Sequence, residues 1–167
     1  AEFAPSDERV IGGTLSATTT LVAGATYALD SDLVIPAGRT LTVPAGITLR
    51  MPAGRNLRVQ GTLNVEGTPQ APVRIIGRDG ARWGAISFEN PDGLSVLKHL
   101  IVRQATRGAD SLSFPSAISG LNARLIIEHL DIEQCDGPIF CRGGSIVLRS
   151  SRLHTRSEEH TSELQSR

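Results

Sequence analysis

The segment IPAGRTLTVPAGITLRMPAG, residues 35–54, decides the fold because it repeats itself in units of eight. Pro-Ala-Gly recurs at 36–38, 44–46 and 52–54, and the residue before each proline is apolar. Between these turns polar and apolar residues alternate, as in TLTV at 40–43, which is typical of short strands with one buried face. No Asn-Gly or Asp-Gly turn joins the units, so the pattern does not favour hairpins.

Three such units make a step of 24 along the chain, and apolar residues return at that step. The aligned pairs are Leu33 with Leu57, Ile35 with Val59, Leu41 with Val65, Leu49 with Val73 and Met51 with Ile75. Stacked at the ~4.8 Å spacing of neighbouring strands, these residues would form a continuous apolar interior. The sequence therefore predicts an all-β fold, a single-stranded parallel β-helix (solenoid) in which each early coil spans one step of 24.

The second half of the chain keeps the pattern with different steps. Segments 97–102, 127–132 and 148–153 align at a step of 30 and then a step of 21. Under this alignment one outward column alternates in charge, with the residues Lys98, Glu128 and Arg149. Opposite charges on adjacent strands contribute a few tenths of a kcal/mol each, which agrees with this register.

These units resemble a known family. Segments 35–43 and 57–68, followed by 83–88 and 95–99, are similar to the opening of pectin-lyase-like right-handed parallel β-helix repeats. The similarity is strongest to the repeats of large secreted bacterial proteins, some of which also carry a CotH-type kinase domain or a lamin-tail module. It covers roughly 20–155, and it implies a right-handed solenoid in an extracellular or cell-surface protein. It implies no particular activity, because this fold serves many functions.

The amino-acid composition limits the classes of partner that the chain is expected to bind. The 167 residues include 17 basic and 17 acidic side chains, and this balance gives no electrostatic reason to expect nucleic acid as a partner. No apolar run approaches the ~20 residues that span a bilayer. Nothing in the spacing of His, Cys, Asp or Glu resembles a metal site, and no cofactor is predicted.

The chain divides into four predicted parts. Residues 1–11 are predicted to be a flexible N-terminus, 12–30 an N-terminal cap and 31–155 the β-helix. Residues 156–167 break the pattern and resemble an in-frame translation of a widely used sequencing adapter, so we predict a non-native tail; the alternative is a polar disordered tail. The β-helix is then truncated after Thr155, and its uncapped last coil is expected to self-associate.

Four arginines are the candidate ligand-binding residues. Arg50 is separated from Arg74 by one step of 24, as is Arg58 from Arg82, and each pair is expected to stack outward with like charges together. Like charges in such positions are unfavourable, which favours an anionic ligand such as an acidic polysaccharide. The alternative is that all four are solvated surface arginines.

Three other features are weaker candidates. His99 and His129 fall at equivalent positions, where stacking at a corner explains them without a metal. The carboxylates of 131–136 are explained by charge pairing with basic neighbours. Residues 107–122 are predicted to be an insertion that protrudes as a loop, and loops often carry binding residues.

Cys135 and Cys141 lie close together in the sequence, with Gly137-Pro138 between them. The turn makes a small-loop disulfide feasible, and the alternative is two buried thiols that behave as small apolar residues. The sequence leaves both open.

No catalytic residues are identified. The sequence therefore predicts a non-catalytic extracellular scaffold, or a carbohydrate- or surface-binding module, within a larger secreted protein. The alternative is a polysaccharide lyase or glycoside hydrolase of the pectin-lyase-like fold, incomplete in this chain.

Overall fold

The computed structural model describes residues 8–108 and 112–155, with side chains as far as Leu153. The described chain is built from β-strands and a single 3₁₀ turn at Arg78–Gly80. The strands in chain order are β1 (Glu8–Thr14), β2 (Thr19–Thr20), β3 (Thr26–Ile35), β4 (Thr40–Pro44), β5 (Thr48–Met51), β6 (Leu57–Val59), β7 (Thr62–Glu66), β8 (Val73–Gly77), β9 (Ile86–Glu89), β10 (Leu94–Arg103), β11 (Ile118–Cys135), β12 (Ile139–Arg149) and β13 (Arg152–Thr155).

All neighbouring strands pair in parallel within one 13-stranded sheet. The path β3–β5–β8–β10–β11–β9–β6 returns to β3, so these seven strands close into a parallel β-barrel. The remaining strands, β1, β2, β4, β7, β12 and β13, pair outside that ring. The predicted right-handed β-helix solenoid is therefore wrong, although the predicted all-β class and parallel pairing are confirmed.

The ring closes because three strands are longer than the strands within the repeat units. β3 and β10 have 10 residues each and β11 has 18. β10 pairs with β7 over 96–98 and with β8 over 100–102, and β11 changes partner in the same way. A long strand thus forms hydrogen bonds with one neighbouring strand along its first part and with another neighbouring strand along its second part. The eight-residue repeat predicts strand length within a unit, but not that a strand continues past its end.

Two of these long strands, β10 and β11, bend at residues with positive φ. The values are 50° at His99, 53° at Asn122 and 59° at His129. Such a conformation costs a residue with a side chain about 1–2 kcal/mol, least for Asn and His. Each bend also brings a side chain onto its neighbour: Asn122 Nδ2 donates to Asn90 Oδ1 at 2.6 Å.

The register agrees with the predicted step in only one early pair of strands. Leu33 faces Leu57 between β3 and β6, which confirms the step of 24 there. Leu49 instead faces Ile75, a step of 26, because the connection 67–72 is longer than a Pro-Ala-Gly turn. Between β4 and β7 the step is 22, since only Gln60 and Gly61 separate β6 from β7. The predicted alignments of Leu49 with Val73, Met51 with Ile75 and Leu41 with Val65 are therefore wrong.

Both later steps are confirmed. Lys98 is in register with Glu128, the predicted step of 30, and Glu128 is in register with Arg149, the predicted step of 21. The charge column predicted from sequence therefore exists on the outside of the sheet. β7 extends it, because Glu66 is in register with Lys98.

The inward residues form one apolar core, as the alternation predicts. The large side chains that are completely buried include Leu33, Ile35, Leu41, Leu49, Met51, Leu57, Trp83 and Phe88. At the N-terminus, β1 begins at Glu8, inside the segment predicted to be flexible, and pairs with β3. The tail predicted at 156–167 lies outside the described residues.

Truncating an inward and an outward residue of β3 tests which side of the strand faces the core. Leu33 is fully buried, whereas the next residue, Val34, is half-buried and faces outward. We expect Leu33→Ala to lower the free energy of unfolding by about 2–5 kcal/mol, because a buried side chain is lost and a cavity remains. Val34→Ala is the control and should cost well under half as much. Urea unfolding followed by circular dichroism measures both, and equal losses would contradict the assigned inward face.

Candidate functional site

Two of the candidate arginines, Arg50 and Arg58, form ion pairs on the outside of the ring. Arg58 Nε donates to Glu89 Oε2 at 2.8 Å, and this hydrogen bond raises the pKa of Arg58 despite partial burial. Arg50 lies between two carboxylates, at 2.7 Å from Glu8 and 3.1 Å from Asp79. Both guanidinium groups are thus neutralised within the chain.

The other two candidates differ from each other. Arg82 lies 2.5 Å from the Asp136 carboxylate. Arg74 is exposed, and the described residues give it no ion pair. The predicted stacking of like charges is wrong, because Arg50 is in register with Ile76 rather than with Arg74. A step of 26 between β5 and β8, instead of 24, accounts for the change.

The carboxylates at 131–136 are charge-paired, as the sequence interpretation expects. Arg103 lies 3.5 Å from Asp131 and 3.6 Å from Glu133. Asp136, the third carboxylate, contacts Arg82. In residues 8–108 and 112–155, no group of three or more His, Cys, Asp or Glu side chains could bind a metal ion.

The two histidines stack face to face at a bend of the sheet. The rings of His99 and His129 have centroids 4.3 Å apart and planes inclined by 8°. Desolvation, together with the His129 ring and Lys98, lowers the pKa of His99, and Glu128 opposes the shift. The pair is a structural contact of the bend, as its equivalent positions in sequence indicate.

The predicted protruding loop folds back onto the sheet where it is described. Gly108 N donates to Phe114 O at 2.7 Å, and the Phe114 side chain is buried. Ser87 on β9 is also buried, close to Gly108, so this segment covers the outside of β9. From Ile118 onward the predicted insertion is part of β11. Residues 109–111 lie outside the described chain.

Both cysteines are free thiols. Cys135 is buried, and desolvation raises its pKa to about 11. Cys141 is half-buried against the core, and burial raises its pKa also. Of the two alternatives left open by the sequence, the structure contains the separate thiols, and both are neutral near pH 7.

One outward surface was missed in the sequence. We call the outer side of the consecutive pairs β2–β4–β7–β10–β11–β12 the β7 face. Its first strands present threonines: Thr18, Thr20, Thr40, Thr42 and Thr62, none of them buried. Its last strands present half-buried aliphatic residues at equivalent positions: Val96, Ile126 and Val147. The signal was Thr-x-Thr at 18–20 and 40–42, which recurs at a step of 22 rather than 24.

A shallow hollow lies on the same face between β7 and β10. Its volume is about 250 Å³, and its lining includes Asn64, Glu66, Val96 and Lys98. It is bordered by the charge column, in which Arg149 lies 3.0 Å from Glu128. Among the described residues, neither Glu66 nor Lys98 has an ion-pair partner.

No protein-family model, curated protein or solved structure matches this chain. The described part of the chain contains no helix with the length and apolar character needed to cross a membrane. The resemblance to pectin-lyase-like repeats stays a prediction, and the solenoid that it implies is corrected above. Function is therefore inferred from the arrangement of the chain's own residues.

The histidine stack predicts a pH dependence of stability. Because the folded-state pKa of His99 lies below its unfolded value of about 6.5, the unfolded chain takes up the proton first as pH falls. We therefore expect the melting temperature to fall as pH decreases below about 6.5, and to be insensitive to His99 above that value. His99→Asn preserves a residue that tolerates positive φ and should weaken this dependence. Melting curves recorded from slightly alkaline to mildly acidic pH measure it, and an unchanged dependence in the variant would contradict the assignment.

Proposed function

We propose that this chain is a non-catalytic extracellular scaffold module that binds a neutral polysaccharide through the threonines of the β7 face. The observation that carries the proposal is a group of outward threonines on adjacent strands, in which Thr20 on β2 is in register with Thr42 on β4, and Thr40 on β4 is in register with Thr62 on β7. Parallel strands space such side chains by ~4.8 Å across the sheet and by ~6.6 Å along a strand. Threonine offers a hydroxyl for sugar hydroxyl groups and a methyl group for the apolar faces of sugar rings.

The charge distribution favours a neutral ligand over an acidic one. Three of the four arginines that would attract an anionic glycan are already paired with carboxylates. An acidic ligand would have to replace those contacts, whereas the threonine patch requires no such exchange. The polysaccharide-binding role is therefore assigned to the threonines and not to the arginines.

The scaffold role is supported by the ion pairs that link different strands on the remaining faces. Arg58 on β6 contacts Glu89 on β9, and Arg50 on β5 contacts Glu8 on β1. Such exposed pairs contribute little stability individually, at about 0–1 kcal/mol. Their shared feature is that outward charges are neutralised locally and do not converge on one point, as the groups of a catalytic centre would.

A matched pair of threonine substitutions tests the proposal. Thr42→Glu places a charge in the centre of the patch, and Thr48→Glu places the same charge on β5, at a half-buried outward position of another face. We expect binding to neutral polysaccharides, measured by affinity electrophoresis and a glycan array, to weaken at least ~10-fold in Thr42→Glu only. This loss corresponds to about 1.4 kcal/mol.

Two results would contradict the proposal. Binding restricted to acidic polysaccharides would assign the site to exposed arginines instead. Release of unsaturated uronate products, followed by their ultraviolet absorbance, would show that the chain is a lyase.

A further inference from the structure

The outer edge of the β7 face carries four charges whose signs alternate from strand to strand. They are Glu66 on β7, Lys98 on β10, Glu128 on β11 and Arg149 on β12, each in register with the next. The order is therefore negative, positive, negative, positive. When the order of the strands is reversed, each position in the column carries the opposite charge.

That property makes the column complementary to itself. A two-fold axis that runs along the strands, between β10 and β11, would place Lys98 opposite the partner's Glu128 and Glu66 opposite the partner's Arg149. Each contact occurs twice, because a two-fold interface uses the same surface on both subunits. A two-fold axis perpendicular to the strands would instead keep the order of the strands and place like charges opposite each other, which is unfavourable.

The neighbouring column supplies the apolar contact. Val96, Ile126 and Val147 lie two residues before the charged residues of their strands and therefore point to the same side of the sheet. All three are half-buried in the single chain, and Leu94 beside them is 42% exposed. The same rotation places Val96 against the partner's Ile126, so that aliphatic surface on both subunits is removed from water.

The hollow between β7 and β10 adds complementarity of shape. Because the rotation exchanges β7 with β12 and β10 with β11, the hollow lies opposite the partner's Ile126 and Val147. Its volume of about 250 Å³ is sufficient for aliphatic side chains. A recess on one half of the face thus lies opposite half-buried aliphatic side chains on the other half.

We propose that the β7 face, from Glu66 to Arg149, binds the same face of a second copy of this chain in a two-fold dimer, with the order of the strands reversed across the interface. This surface differs from the C-terminal end at which the sequence predicts self-association, where Leu148 and Leu153 are buried. The inference does not depend on polysaccharide binding. Thr20 and Thr42 lie beyond the overlapping strands and stay accessible in the dimer, whereas Thr62 lies on β7 within the overlap.

The dimer is expected to be weak. Four strands at ~4.8 Å and five residues at ~3.3 Å cover on the order of 300 Å² of planar surface. Stable interfaces bury about 800 Å² per partner. We therefore expect a dissociation constant in the micromolar range or above, and a dissociation constant that increases with salt concentration.

Charge reversal tests the geometry directly. Sedimentation velocity over a concentration series should show a monomer–dimer equilibrium for the full chain. Lys98→Glu makes the column negative, negative, negative, positive, and Glu128→Lys makes it negative, positive, positive, positive. Each variant then places two like-charged contacts in its own dimer, and we expect self-association at least ~10-fold weaker for both.

The two variants should associate with each other when mixed. In the mixed dimer all four contacts join opposite charges, so an equimolar mixture should recover the dimer that neither variant forms alone. Arg74→Glu, an exposed substitution on another face, is the control and should dimerise like the parent chain. Melting curves by circular dichroism establish that each variant is folded.

Three results would overturn the proposal. The first is a parent chain that stays monomeric at millimolar concentration. The second is a Lys98→Glu variant that dimerises as strongly as the parent, which would place the interface elsewhere. The third is a folded pair of variants that remain monomeric when mixed while the parent dimerises, which would exclude the reversed strand order across the interface.

Discussion

A ladder of parallel backbone hydrogen bonds continues around the bends of the longest strands, and the rest of the structure depends on it. β11 pairs with β9 before Asn122 and with β10 after it, and β10 changes partner at His99. Each bend requires positive φ at a residue with a side chain. Contacts between bends accompany this cost, including the 4.3 Å stack of His99 on His129. The ring of seven strands closes because the ladder does not stop at the bends.

Much of the local structure was predictable, and the closure was not. Alternation within each unit correctly predicts that Leu33, Leu49 and Met51 point inward, because that pattern depends only on the geometry of a strand. Closure depends on whether a strand continues through a bend. That depends on residues such as Asn122, whose positive φ has no signature in an eight-residue repeat. The sequence therefore predicted the parts of the fold more reliably than their arrangement.

The outward neighbours of the candidate arginines were predicted wrongly for a related reason. A single step of 24 puts Arg50 over Arg74, but connections of unequal length change the step to 26 there and to 22 between β4 and β7. An error of two positions keeps every side chain on the correct side of the sheet but changes its neighbour. In these early strands the interior is thus predicted correctly while the outward contacts are not. The Thr-x-Thr motif at 18–20 and 40–42 was visible in the sequence, but only at the step of 22.

Register has its largest consequence on the β7 face, where it determines which charges are neighbours. Within one chain the alternation of Glu66, Lys98, Glu128 and Arg149 contributes little, because exposed pairs in water are worth about 0–1 kcal/mol each. Between two chains the same order distinguishes one orientation from the other, since only the reversed arrangement joins opposite charges throughout. Electrostatic complementarity of this kind contributes specificity more than affinity. The aliphatic column from Val96 to Val147 supplies the attraction, and the charges determine how two such faces are aligned.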